Sequence, residues 1–236
     1  NGGDSIRKPN LALIASSTLT DMTGTITFTA NTEGLTTLSL NTLTYAAVKV
    51  DSAARIQASP GLLDKYTKEI ARSVAQGLDT TVLEAYDAFS TVKGTDNVAI
   101  TDQVIRDSVQ ALNEAFAPMD DRYLVVSPAG QMDMYNIERY VNSLNATLGA
   151  FKDKFGAGYF GDMYGLHCVM SPNLKAGTSG KKYGMFHREA VLVAKQTEIT
   201  TEMRQPHDEI ADAVRAWVIW GTVEQRDTFG VEVDGR

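Results

Sequence analysis

The chain has 236 residues, 43% of them hydrophobic, and its 22 basic and 29 acidic side chains leave a net charge of −7. That length supports one large domain or two intertwined ones on an ordinary apolar core, and the single cysteine, Cys168, excludes an internal disulfide framework and any CxxC metal or redox site. No basic run exceeds Lys181-Lys182, which excludes a phosphate-gripping footprint, and no apolar stretch approaches the roughly 18 residues of a membrane span.

The opening Asn1-Gly2-Gly3-Asp4 is not a signal peptide, so a soluble chain made inside the cell is expected; with Asn rather than Met in first place, a processed or longer form stays open. Residues 1–20 are polar, with Pro9 and a short apolar patch at Leu11, Leu13 and Ile14, and read as an extended arm. In residues 24–30, Ile26 and Phe28 alternate with Thr25, Thr27 and Thr29, the pattern of a half-buried strand. Asn31-Thr32-Glu33-Gly34 then turns the chain into a second extended run carrying Leu38, Leu40, Leu43, Tyr45, Val48 and Val50, which argues a β-hairpin. Threonine dominates this ribbon, and a two-stranded ribbon is marginal in water, so it must lean on another surface.

Ser59-Pro60 supplies an N-cap hydroxyl and a proline at the first helical position. Behind it, Leu62, Leu63, Tyr66, Ile70, Val74, Leu78, Val82, Tyr86 and Phe89 form one apolar stripe over about 30 residues, or roughly 45 Å of helix. Asp64 suits the positive end of the helix dipole. A loop at residues 94–97 precedes a second helix, capped by Thr101, with Ile105, Val109, Leu112 and Phe116 inward and an end before Pro118. Residues 122–126 (R-Y-L-V-V) read as a buried strand, and Ser127-Pro128 repeats the cap-plus-proline device for a third helix with Met134, Ile137, Val141 and Leu144 inward. Strand, turn and helix in that order imply an α/β layer. Glycine-rich connections, a strand at 166–170, a loop at 176–182 and a run at 190–200 follow. The closing run at 213–225 is apolar on both faces, and so is expected to be covered on both; Phe229, Val231 and Val233 come after it.

Residues that could carry chemistry have plainer explanations. Gly156-Ala157-Gly158-Tyr159-Phe160-Gly161 matches G-x-G-x-x-G, but no strand precedes it, no helix follows it, and lysines stand near 181 where a ribose-binding acid belongs. A flexible glycine loop accounts for it. His187, Glu189, His207, Asp208 and Glu209 lack metal-ligand spacing, and His207-Asp208-Glu209 read as a solvated loop after Pro206. Ser127 lacks the glycine two positions earlier that a nucleophile elbow needs, and Pro128 removes an oxyanion donor. Capping explains this serine. Cys168, between Leu166 and Met170, reads as a buried thiol, Trp217 and Trp220 as packing residues, and the sequon Asn145-Ala146-Thr147 has no consequence without secretion. No catalytic residue, metal ligand or cofactor is assigned.

The order polar arm, hairpin, long helix, α/β layer and late long strands resembles the major capsid proteins of tailed bacteriophages, with the Hong Kong 97-type fold. The likeness rests on T-Y-A-A-V-K-V-D-S-A-A-R-I-Q from Thr44, Y-L-V-V-S-P-A-G from Tyr123, F-G-D-M-Y-G-L-H-C-V-M-S-P-N-L from Phe160, H-R-E-A-V-L-V-A-K-Q from His187 and the closing G-T-V-E-Q-R-D-T-F-G-V-E-V. It implies an α+β fold in which residues 1–21 are an N-terminal arm and residues 22–50 an extended β-hairpin loop lying over a neighbouring subunit. Residues 51–102 would hold the spine helix of a peripheral domain completed by about 190–225, and residues 103–189 an axial domain completed by about 226–236.

By that resemblance the function is a coat protein that self-assembles, as pentamers and hexamers, into an icosahedral head around double-stranded DNA, without sequence-specific binding. Ile26, Phe28, Asn31, Glu33, Leu38 and Leu40 are the expected intersubunit residues. Portal and possible scaffolding or decoration proteins are the other implied partners, with no membrane, assembly in the host bacterial cytoplasm and residence in the virion. Some relatives cross-link the loop through a lysine, but Lys49 stands at the base of the expected hairpin with no identifiable acceptor pair, so no cross-link is assigned. The alternatives are an encapsulin-type compartment, a soluble α/β enzyme using the glycine loop as a nucleotide site, and a threonine-rich adhesive module.

Overall fold

The computed structural model describes residues 4–10, 16–18, 20, 25–26, 28, 34–51, 62–138, 158–205 and 211–236. It is a mixed α+β structure. Its ribbon pairs strand β1 (Ser5–Asn10) with β2 (Gly34–Ser39), antiparallel, with Ile6 opposite Leu38. The first strand of the hairpin is thus the polar arm, and Thr25, Ile26 and Phe28 lie outside any strand. Pro9 is acceptable in β1 because a two-stranded ribbon has only edges. The ribbon leans on its own chain: Leu38 and Leu40 are buried, and the backbone of Ser39 crosses Gly221 so closely that a Cβ there would sit 2.1 Å from the Ser39 carbonyl oxygen. Lys8 Nζ donates to Gln225 Oε1 at 3.0 Å and Asn10 Nδ2 to the Gln225 carbonyl at 3.1 Å.

The second extended run continues as β3 (Thr42–Asp51), which leaves the ribbon and joins a four-stranded sheet with β9 (Val191–Lys195), β10 (Thr200–Arg204) and β11 (Ala211–Glu224). Strand β11 is central, antiparallel to the other three. Helix α1 (Leu62–Glu84), extended by a 3₁₀ turn at Ala85–Ala88, packs on one face. Its Ile70 and Val74 are buried against Val214, Ala216, Val218 and Trp220. Each such side chain is worth about 1.5–3 kcal/mol of burial. The expected cap at Ser59-Pro60 lies outside the described residues.

A six-stranded sheet forms the other body, in the order β4 (Val92–Gly94), β12 (Gly230–Gly235), β8 (Lys181–His187), β5 (Arg122–Val126), β7 (Leu166–Met170) and β6 (Tyr159–Met163). Strands β5 and β7 are parallel, as are β4 and β12. Helix α2 (Asp102–Glu114) and helix α3 (Pro128–Tyr135) bring Ile105, Leu112 and Met134 into the same core as Leu124, Val126, Met185 and Val233. Both expected caps are made: Thr101 Oγ1 accepts from Val104 N at 3.4 Å, and Ser127 Oγ from Gly130 N at 2.9 Å. Val141 and Leu144, expected to continue the third helix, lie outside the described residues.

The structure corrects four expectations besides the hairpin. The glycine-rich motif is not wholly a loop: Gly158 precedes β6 and Gly161 sits within it, at a register shift with φ 146°, while Gly156 and Ala157 lie outside the described residues. The run at 190–200 divides, since β9 ends at Lys195 and β10 begins at Thr200. Phe116 leaves the helical stripe because α2 has already ended. Among the described residues, strand β11 is covered on one face only, the one on which α1 packs.

Candidate assembly surfaces

The residues singled out for chemistry are engaged structurally. Ser127 Oγ donates to the Arg236 carbonyl at 2.8 Å and lies 3.0 Å from the Tyr183 hydroxyl. His187 is buried against the edge of Phe229, its Nδ1 accepting from Glu189 N at 3.2 Å, and burial lowers its pKa. Cys168 is fully buried, and burial pushes its thiol well above the ordinary range. No group of His, Cys, Asp or Glu among the described residues has the geometry of a metal site. His207, Asp208 and Glu209 lie outside them.

A charged brace fastens the end of α1 to the six-stranded sheet. Asp87, in the 3₁₀ turn, accepts from both Lys175 and Lys182, and Lys182 Nζ also reaches Glu232 Oε1 on β12 at 2.6 Å. The two lysines hold the Asp87 carboxyl below its usual range, while burial raises Glu232 against the opposing pull of Lys182. Hydrogen bonds to Asp87 and Glu232 push Lys182 upward.

Among the described residues, three groups of exposed apolar side chains stand out. The first is the pair Ile26 and Phe28, between β1 and β2 in the chain, with Phe28 93% exposed and Ile26 also exposed. Of the other residues expected to make that contact, Leu38 and Leu40 are buried in their own subunit, and Asn31 and Glu33 lie outside the described residues. The second is the uncovered face of the four-stranded sheet. Strict alternation sends Thr44, Ala46, Val48 and Val50 of β3 towards α1 and Leu43, Tyr45, Ala47 and Lys49 away from it. On β11 the outward set includes Arg215, Trp217 and Ile219. Together Leu43, Tyr45, Ala47, Trp217 and Ile219 line a shallow groove of about 560 Å³, with Tyr45 70% exposed and Arg215, paired to Glu202 at 2.5 Å, at its rim. The third is the turn after α2, where Phe116 and Met119 stand out. Sequence reasoning missed the second and third surfaces, reading the first of them as covered and Phe116 as core.

A family model described as phage capsid protein matches residues 36–231. The chain belongs to the phage capsid protein family. Among solved structures, this capsid protein is similar over its whole length to a protein of Mycobacterium phage Che8, with 20% identity, 86% of that chain covered and a TM-score of 0.75. The capsid of Ralstonia phage GP4 gives the same TM-score of 0.75 at 11% identity, with 100% of this chain and 85% of that one covered. The capsid structure of cyanophage P-SCSP1u gives 0.71 at 14% identity, with 100% and 84% covered. No curated protein matches the sequence. Family and fold together make this a major capsid protein of the Hong Kong 97 type, a structural subunit of a phage head.

Proposed function

We propose that the chain closes, as pentamers and hexamers, into an icosahedral head that confines double-stranded DNA. The observation that carries this reading is the open apolar face of the four-stranded sheet: one subunit leaves it wet, whereas many identical copies can cover it and turn small contacts into a large total. In this reading the segment carrying Ile26 and Phe28, with Asn31 and Glu33 further along it, lies on a neighbouring copy. Leu38 and Leu40 instead fix the base of that segment to their own subunit. The arm is residues 1–21, and the extended loop ends at β2 rather than at residue 50. The peripheral part is α1 with β3, β9, β10 and β11, and the axial part is the six-stranded sheet with α2 and α3.

A charge of −7 suits a wall that holds DNA without gripping it. Portal, scaffolding and decoration proteins are the further partners of such a shell, assembled in the cytoplasm of the host bacterium. The encapsulin-type reading is not favoured, because the matching family model is that of phage capsid proteins.

Electron microscopy of the purified protein tests the shell, with uniform icosahedral particles expected; a protein that stays monomeric at every concentration would overturn it. A variant carrying Ile26→Asp and Phe28→Asp is expected to keep the unfolding midpoint of the wild-type subunit and to form no particles, because both side chains are exposed in the subunit. Normal particles from that variant would remove the loop from the contact while leaving the shell standing.

A further inference from the structure

The turn from α2 into β5 carries a side chain that the subunit itself does not need. Helix α2 ends in a Schellman motif: Phe116 N donates to the Asn113 carbonyl at 3.0 Å and Ala117 N to the Leu112 carbonyl at 3.1 Å. Phe116 occupies its left-handed position, with φ 55°. That position is usually glycine, because the left-handed backbone crowds any Cβ, and a bulky residue there is an outlier. Burial could compensate for the strain, yet Phe116 is 80% exposed and Met119 beside it 76% exposed. A large apolar side chain in a strained, wet position gains nothing within the subunit.

The turn is also held firmly. Arg122, buried beneath it, donates to Asn113 Oδ1, to the Ala117 carbonyl and to the Pro118 carbonyl, each at 2.7 Å. Arg188 N donates to the Asp121 carbonyl at 3.1 Å from the other side. Around the two apolar side chains stand exposed carboxylates, Glu114, Asp120 and Asp121. Such a rim repels a polyanion, so the surface does not suit DNA. An aromatic and a methionine preset on a rigid turn are of the kind that dominates protein contacts.

We propose that Phe116 and Met119 form a knob that seats in an apolar hollow, rimmed by basic side chains, on a second copy of this chain. The proposal rests on the shell reading, which supplies identical copies as the subunit's neighbours. Strain is tolerated at Phe116 because the contact it makes exists only between copies.

The test uses Phe116→Gly and Phe116→Asn, both suited to a left-handed backbone, compared with wild type by thermal unfolding and sedimentation. The variants are expected to unfold at the wild-type midpoint or up to about 3 °C above it, while the concentration needed for assembly rises about tenfold or more. If either variant assembles like wild type, the knob is not a contact. If wild type itself stays monomeric, the shell reading fails first and takes this proposal with it, which is a separate result. Met119→Cys gives a second readout, since Cys168 is buried and silent to maleimide. The introduced thiol is expected to react in the free subunit and be protected in particles. Equal reactivity in both would place the turn on an open surface and overturn the proposal.

Discussion

The two sheets of this subunit are finished to different degrees. In the six-stranded sheet the central strands are covered on both faces: Leu124, Val125 and Val126 follow one another in β5 and all are buried, as are Val231, Glu232 and Val233 in β12. In the four-stranded sheet burial alternates along β11, with Val214, Ala216, Val218 and Trp220 hidden while Trp217 and Ile219 stay partly open. The sheets differ in cover, not in apolarity. The core of one body is closed within a single chain, whereas the other sheet presents an apolar face that a further molecule could cover.

The contrast is tested most sharply where the closed face meets α1. Trp220 is fully buried, and its Nε1 donates to Thr44 Oγ1 at 3.0 Å. Trp220→Ala should cost the isolated subunit about 3–5 kcal/mol, the range for emptying an aromatic site in a core. Chemical denaturation measures this, and a loss below about 1 kcal/mol would show that the closed face is no true core.

Next in size is the brace between the bodies. Lys182→Met removes the partner of a buried carboxylate, Glu232, and one of two partners of Asp87. The expected loss near pH 7 is about 3 kcal/mol, at the low end for a broken buried pair because Lys182 keeps some solvent contact. Its pH dependence follows from the shifts. Asp87, lowered in the fold, contributes wild-type stability above its ordinary value of about 3.9, lost as pH falls through its folded value. Glu232 is raised, and higher still without its lysine, so the variant gains stability as falling pH protonates it towards the ordinary value of about 4.3. Lys182 is raised, so its contribution is present below about 10.4 and lost as pH rises through its folded value. The deficit should therefore be widest near neutrality and narrow on both sides. A pH-independent deficit would mean that packing, not charge, holds the brace.

What the sequence revealed follows the same division. Strands β5 and β7 were legible with their observed limits, as were the caps Thr101 and Ser127, because β-branched runs and capping hydroxyls are local signals. The partner of β2 was not legible: Ser5–Asn10 is polar and contains a proline, and pairing across the intervening segment leaves no local trace. Phe116 fits the helical period of α2, which carries no sign that the backbone has turned left-handed. The outer face of β11 was misread for a deeper reason. Apolarity says that a face will be covered, without saying by which molecule.

That ambiguity makes Trp217 the instructive counterpart of Trp220, the same residue type three positions away on the opposite face of one strand. It lines the open groove with Tyr45, its partner in the β3–β11 register, and Ile219. In the isolated subunit it is already part solvated, so Trp217→Ala should cost under about 1 kcal/mol, against several for Trp220→Ala. If copies of the chain cover this face, the same substitution should sharply raise the concentration at which particles form, because interface energy concentrates in buried aromatics. Sedimentation of the variant beside its unfolding curve separates the two effects. Large destabilisation of the subunit with unchanged assembly would mean that the groove belongs to the fold, and the division between a finished and an unfinished sheet would collapse.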